Sequence, residues 1–352
     1  MIYKYFFLIG WINLSLWSCK SNNKESAFPT KLSEWNFFKD LPNLIPNEKV
    51  FAYDIQTPLF SDYAEKLRFI YLPEGSKIHY NDSSYFHFDD HSVIIKNFFY
   101  YEDVNNPGKG KRLIETRLLV KKQGKWIPLT YQWNEQQTDA EIVFSGNYIP
   151  IKWKNQQGDF QNIQYRIPNL NQCKSCHENQ NILQPIGIKA KHLNKNFIYS
   201  HGEENQLTYW SKNEFLVGLP NHGSIPQIAN FMDSSKSINE RARAWLDINC
   251  AHCHNPSGPA ATSGLYLHSE ETNPVHLGIL KSPVAAGKGT GGLDFDILPG
   301  KPEQSILFYR LKTNEPGERM PELGRTIVHK ESLQLIEEWI KNLPINSSKN
   351  IN

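Results

Sequence analysis

"SINERARAWLDINCAHCHNPSG", residues 237–258, decides what the last third of this chain becomes. Ser237 followed by Glu240 is the reciprocal capping box of a helix start. Ala242, Trp245, Leu246 and Asn249 then recur at helical spacing, which predicts a helix that delivers its C-terminal end to Cys250. There the pattern becomes Cys-x-x-Cys with His254 directly after it. A second copy, "CKSCH" at 173–177, repeats the two thiols and the imidazole.

The chain has five cysteines, and these two motifs hold four of them. A Cys-x-x-Cys pair serves a redox disulfide, a zinc site or a haem attachment site. Zinc takes four ligands, which two such pairs supply in principle, but it does not call for a histidine immediately after each pair. Covalent haem does: two thiols form thioethers with the two vinyl groups, and the adjacent imidazole reaches the iron. The motifs therefore point to two covalent haems c, on Cys173, Cys176 and His177 and on Cys250, Cys253 and His254.

Compartment is read from the N-terminus. "MIYKYFFLIGWINLSLWSC" carries Lys4 ahead of an apolar run from Tyr5 to Trp17, too short to span a bilayer and right for a secretory segment. Leu16, Ser18 and Cys19 look like a lipobox, in which cleavage precedes Cys19 and that thiol takes lipid, although Trp17 is bulkier than such a box normally holds. Ordinary cleavage and an uncleaved anchor are the alternatives. The expectation is a lipoprotein signal over 1–19, a tether over 20–45, and a periplasmic or outer-membrane location, with membrane contact only through the lipid. Net charge is +2 with Lys and Arg spread along the chain, which excludes a nucleic-acid surface.

Downstream of the second motif, "KESLQLIEEWIKNLP" places Leu333, Ile336, Ile340 and Leu343 on one stripe, stopped by Pro344. "LPGKPEQSILFYRL" predicts a helix starting near Pro302. The glycine-rich "AAGKGTGGLDFD", 285–296, is not a phosphate loop, because its lysine precedes most of the glycines. Upstream, "KLRFIYL", "VIIKNFFYY", "LIETRLLVK", "IPLTYQW" and "YIPIKW" read as short strands separated by turn residues, the pattern of a sandwich or open barrel. "NIQYRIPNLNQ" reads as a strand and a turn leading to Cys173. "HFDDH", with His87 and His91 near His79, has the composition of a metal site on a hairpin but reads first as a solvated turn.

The order helix, CxxCH, loops, Met-Pro in "RMPELG", then a terminal helix resembles class I cytochromes c from about 237 to 344. That resemblance implies His254 as proximal ligand and Met320 as distal sulfur ligand, against the plain reading of Met320 as a core gap-filler. Nearly the whole mature chain, through "TPLFSDYAEKLRFIYLPEG", "ETRLLV", "TYQWNEQQTDA", "NQCKSCH" and "RMPELG", resembles a family of exported bacterial dihaem c-type cytochromes. The resemblance implies redox partners at the cell envelope and an exported β-helix repeat protein as a partner. The expected fold is α+β: an N-terminal antiparallel β sandwich or barrel-like module (46–170), a first haem-binding segment (171–236), and a mostly α-helical cytochrome c-like domain (237–345). The expected function is electron transfer. Its alternatives are a dihaem peroxidase-like or haem-dependent oxidoreductase with an open first haem, and a β-module binding protein with an attached redox domain. Met232, His192, His201, His222 or no residue completes the first haem.

Overall fold

The computed structural model describes residues 28–221, 225–285 and 287–344. The expected leader, Cys19 and His222 lie outside these residues. The fold is built on one open antiparallel sheet of six strands: β1 (Val50–Tyr53), β2 (Glu65–Tyr71), β3 (Val93–Tyr101), β4 (Lys111–Lys122), β5 (Lys125–Trp133) and β6 (Ala140–Ile142). They lie side by side in chain order, so every connection joins neighbours. The β4–β5 link is two residues, Gln123 and Gly124, both at positive φ, which matches the right-handed twist of the strands it joins. A separate hairpin follows, β7 (Asn147–Lys154) with β8 (Phe160–Ile167). Its inward residues Ile149, Ile151, Trp153, Ile163, Tyr165 and Ile167 pack on Phe98, Tyr100 and Ile114 of the sheet.

Four small two- or three-stranded sheets and six short α-helices complete the described residues, the helices being α1 (Leu170–His177), α2 (Ala190–Leu193), α3 (Gln206–Lys212), α4 (Ile238–Cys250), α5 (Ile306–Lys312) and α6 (Lys330–Lys341). Two features of the expected fold class are corrected here. The sheets are open, with no closed barrel, and the protein is β-rich, with 29% strand and 21% helix. Residues 237–345 do not form a mostly α-helical cytochrome c-like domain. Only α4, α5 and α6, of 13, 7 and 12 residues, are α-helical there. The physical reason lies in the connection from His254 to Leu298, which is rich in Gly, Pro, Ser and Asn and has no helical periodicity. It turns through left-handed glycines and hydrogen-bonded bends instead.

Residues 28–45, within the expected tether, are folded: Leu32, Phe37, Phe38 and Leu44 are buried against Phe69, Ile95 and Phe99 of the sheet. Ser237 caps α4 reciprocally with Glu240, as its sequence predicts. In α6 the deepest stripe is Leu335, Ile336, Trp339 and Ile340, one position round from the expected one, and it closes a core with Trp245, Leu246, Phe308 and Leu311.

Two sets of contacts join the β portion, with the α2 that packs on its sheet, to the C-terminal helices. The segment Thr57–Tyr63 crosses between them. Thr57 donates to the Ala229 carbonyl at 2.7 Å, Phe60 N–H to Asn249 at 2.8 Å, and Tyr63 hydroxyl to Glu331 at 2.8 Å. The Asp62 carboxylate accepts from Thr326 N–H and Oγ1–H and from Ile327 N–H at 2.6–3.1 Å. Separately, the buried Asp247 of α4 accepts from Lys191 Nζ, from His192 Nε2 at 2.9 Å, and from Ser269 N–H at 2.7 Å. Burial pushes against ionisation of Asp247, but the His192 and Lys191 bonds overcome it and hold the carboxyl well below the usual carboxylate range.

Replacing Asp247 with Ala strands the buried His192 and leaves Lys191 with only Glu270 and Ser269 as partners. The expected loss is about 3–5 kcal/mol in urea unfolding, as for other broken buried charge pairs; a loss under ~1 kcal/mol would show that this contact is not a main tie between the two portions.

Candidate functional site

In an α-helix, positions i, i+3 and i+4 share one face. Cys173, Cys176 and His177 all lie within α1, so the two sulfurs and the imidazole of the first motif are presented together. The sequence reading of a plain turn before Cys173 missed this helix. Its signal is Asn169 with Gln172, a reciprocal capping box in which the Asn169 side chain accepts from Gln172 N–H at 2.9 Å. Gly146, at φ +74°, is required beside this cap, since a Cβ there would lie 2.6 Å from the Ile167 carbonyl oxygen.

The second motif continues the line of α4. Cys253 N–H and His254 N–H both donate to the Cys250 carbonyl, at 3.1 and 2.9 Å, so Cys250, Cys253 and His254 again share a face. The chain then folds back through Gly258, where a Cβ would clash with the Cys253 carbonyl at 2.3 Å.

Each proximal candidate has its tautomer fixed by its neighbours. His177 Nδ1 lies 2.8 Å from the Gln184 carbonyl, which can only accept, so Nδ1 carries the proton and Nε2 keeps its lone pair. His254 Nδ1 lies 3.3 Å from Ser263 Oγ, whose own proton goes to the Ala260 carbonyl at 2.7 Å, so here too Nδ1 is the donor. An imidazole anchored at Nδ1 with Nε2 free is the form that ligates a metal. Burial lowers both rings to about 4, which keeps them neutral. Gln184 and Ser263 were not legible in the sequence, because neither belongs to a motif.

Although they begin at positions 173 and 250, the two motifs abut in space. The Cys176 and Cys253 thiols are in hydrogen-bonding contact, which draws Cys176 down to about 4 and pushes Cys253 up. Cys253 Sγ also lies 3.9 Å from the Ser175 carbonyl, and Gln180 Nε2 donates to Ser257 Oγ at 3.1 Å. Burial raises Cys250 to about 12 and raises Cys173 as well. All four thiols are free.

Met320 lies on a loop whose N–H donates to the Arg310 carbonyl at 2.9 Å. It lines a narrow cleft together with Phe60, Trp245, Asn249, Arg325 and His329. The charge of Arg310 acts on His254, that of Glu322 on Cys253 and that of Arg325 on Cys250, so this loop faces the second motif. Within the cleft lining, Trp245 Nε1 and His329 Nδ1 are buried without a partner. Two thiols and a free imidazole nitrogen on one face at each motif, with unspent polar atoms beside Met320, form a donor set that fits haem.

The residues considered for the first iron are placed as follows. His192 is buried with Nε2 committed to Asp247. His201 is exposed and its Nε2 lies 3.2 Å from Glu204. Met232 is 58% exposed. In the "HFDDH" turn, His79 pairs with Asp89 at 3.0 Å. Among the described residues no group of three or more His, Cys, Asp or Glu side chains is arranged to hold a metal ion. No family model, no curated protein and no solved structure matches this chain.

His177, His254 and His329 are all lowered to about 4, chiefly by burial. A base depressed in the folded state contributes stability that is present above its unfolded value and is lost as pH falls through the folded one. Stability of the haem-free chain is therefore expected to fall between about pH 6.5 and pH 4, measurable as a lower urea midpoint. An unchanged midpoint across that interval would contradict burial of these rings as neutral bases.

Proposed function

We propose that this chain is an exported dihaem c-type cytochrome that passes electrons at the cell envelope, a member of the family its sequence phrases resemble. One haem is held by Cys173, Cys176 and His177, and the other by Cys250, Cys253 and His254 with Met320 as its distal ligand. The observation that carries this reading is the pair of Nδ1-anchored imidazoles, each on the same helical face as two free thiols. Haem, when attached, supplies the one-electron centre. The residues of this chain do the rest: α1 and α4 fix position, Gln184 and Ser263 orient the imidazoles, and the cores around Trp245 and Trp339 limit access of water. The contact of Cys176 with Cys253 keeps the two centres close, as a wire needs. Redox partners of the envelope, including an exported β-helix repeat protein, and a lipid on Cys19 belong to the same proposal.

A second reading has one observation in its favour. Of the four residues considered for the first iron, His192 is spent on Asp247 and both His201 and Met232 are exposed. An open sixth position there would make the first centre a haem-dependent oxidoreductase site fed by the second. A high-spin ferric spectrum that responds to peroxide or cyanide would select this reading over simple transfer.

The test is haem per chain, by pyridine haemochrome on protein made with the c-type maturation machinery. Two haems are expected, falling to one when Cys173 and Cys176 are both replaced by Ala. One or none in the native chain would mean that at least one motif serves as a thiol site. Met320→Ala is expected to lower the midpoint potential of one haem and leave the other in place, because a thioether ligand raises potential; no change at either haem would remove Met320 as a ligand.

A further inference from the structure

The face of the main sheet turned toward α1 carries a surplus of positive charge. Register sets Arg68 of β2, Lys96 of β3 and Arg117 of β4 directly opposite one another across three adjacent strands. Like charges so placed repel. Lys66 stands in the next row, opposite Phe98. The amines of Lys66 and Lys96 and the guanidinium of Arg117 lie 5.8, 5.4 and 4.3 Å from the centroid of that one ring, and burial with the neighbouring guanidinium charges disfavours the ammonium form of both lysines, so their charge is costly here without an anion.

The anions nearby are already committed. Asp54 bonds Arg68 at 2.7 Å but is shared with Lys195 at 2.6 Å. Glu115 takes Nε and Nη2 of Arg117 and also accepts the Tyr165 hydroxyl at 2.6 Å. Lys96 Nζ makes no hydrogen bond or ion pair among the described residues.

Arg117 also opens onto a narrow cleft, lined besides by Arg166, Arg319 and Arg325. Only two carboxylates line it: Asp62, whose oxygens are occupied by Thr326 and Ile327, and Glu322. Arg325 is buried with its N–H groups on carbonyls and on Asn314, and no carboxylate pairs with it. Arg319 gives Nη1 to the Asn314 carbonyl at 3.0 Å, while its Nε is buried without a partner. Unbalanced cations and unspent guanidinium donors are costly when left alone, and they match the geometry of a carboxylate.

We propose that this cleft binds a carboxylate-bearing anion, held by Arg117 and Arg319, with Lys96 standing behind Arg117 over the Phe98 ring. The carboxylate has two sources, a small free di- or tricarboxylate or the propionate edge of a haem attached at "CKSCH", and Lys96 is near enough to His177 for its charge to act on that ring. The free-anion case is independent of the haem reading; the propionate case rests on it.

The experiment uses the full chain as purified, with its haem count read first. Citrate is titrated by calorimetry into the native chain and into Arg319→Gln and Lys96→Gln, which avoid disturbing the buried Arg117–Glu115 pair. Citrate binding that weakens about tenfold or more in either variant supports a free anion, the loss expected for one charge-assisted hydrogen bond. No citrate binding, with the midpoint potential of one haem lowered in both variants and the other unmoved, supports a propionate as the occupant. Absence of citrate binding together with unchanged potentials, or absence of citrate binding in a chain that carries no haem, overturns the site.

Discussion

Asp247 is the point on which the two portions of this protein are fixed to each other. It lies one helical turn before Cys250, on the inner face of α4, and binds the ammonium of Lys191 and the imidazole of His192. Those two residues are half of α2, which is itself pinned just ahead of the crossing segment: Gln56 N–H donates to the His192 carbonyl at 2.8 Å. A buried carboxylate adds little net stability where an apolar cluster would pack as well. It does add direction, since Asp247 accepts its bonds only with α4 at one depth and rotation. The second CxxCH follows at the end of that helix, so its place relative to the sheet is set by the same contact.

The crossing segment Thr57–Tyr63 does the complementary work from the sheet side. Asp62 and Tyr63 adopt positive φ, uncommon for such residues. The turn is held because the Asp62 carboxylate caps the backbone after Arg325 and the Tyr63 hydroxyl reaches the start of α6. Backbone strain in this turn is offset by hydrogen bonds to residues more than 260 positions away. The loop that carries Met320 therefore hangs between two anchors, the Arg310 carbonyl on one side and Asp62 on the other.

Local signals in the sequence carried the parts whose physics is local. The capping box at Ser237 and the apolar spacing to Asn249 define α4 without reference to anything else, and the alternating runs of β3, β4 and β5 define strands. What could not be read was how those parts close. An alternating strand has the same pattern whether its sheet is open, paired or closed, so the barrel or sandwich expectation rested on spacing that an open six-stranded meander also satisfies. The helical domain was over-extended for a related reason: two good helices bracketed a long loop whose glycines and prolines already argued against filling it with more. The site divides in the same way. Both CxxCH triplets are contiguous and legible, whereas Gln184, Ser263 and Asp247 gain their roles only through contacts across the fold. An Asp beside the apolar stripe Ala242, Trp245, Leu246 and Asn249 was the one available hint of a buried charge, since such a position is costly unless a partner waits there.

The nearness of the two motifs bears on how the proposed holoprotein is assembled. A disulfide between Cys176 and Cys253 would take one sulfur from each motif, and then neither site could form two thioethers. If exported, as proposed, the chain meets an oxidising compartment, and the folded geometry holds these two thiols against each other. On the dihaem reading, attachment must therefore precede the docking of α1 against the turn after α4. The architecture permits that order. α1 carries its own cap at Asn169 and α4 its own at Ser237, so the capping of each motif is local while Asp247, Asp62 and Tyr63 tie the portions over long range. Local capping presents each set of thiols, and the long-range ties then close the protein around whatever those thiols hold.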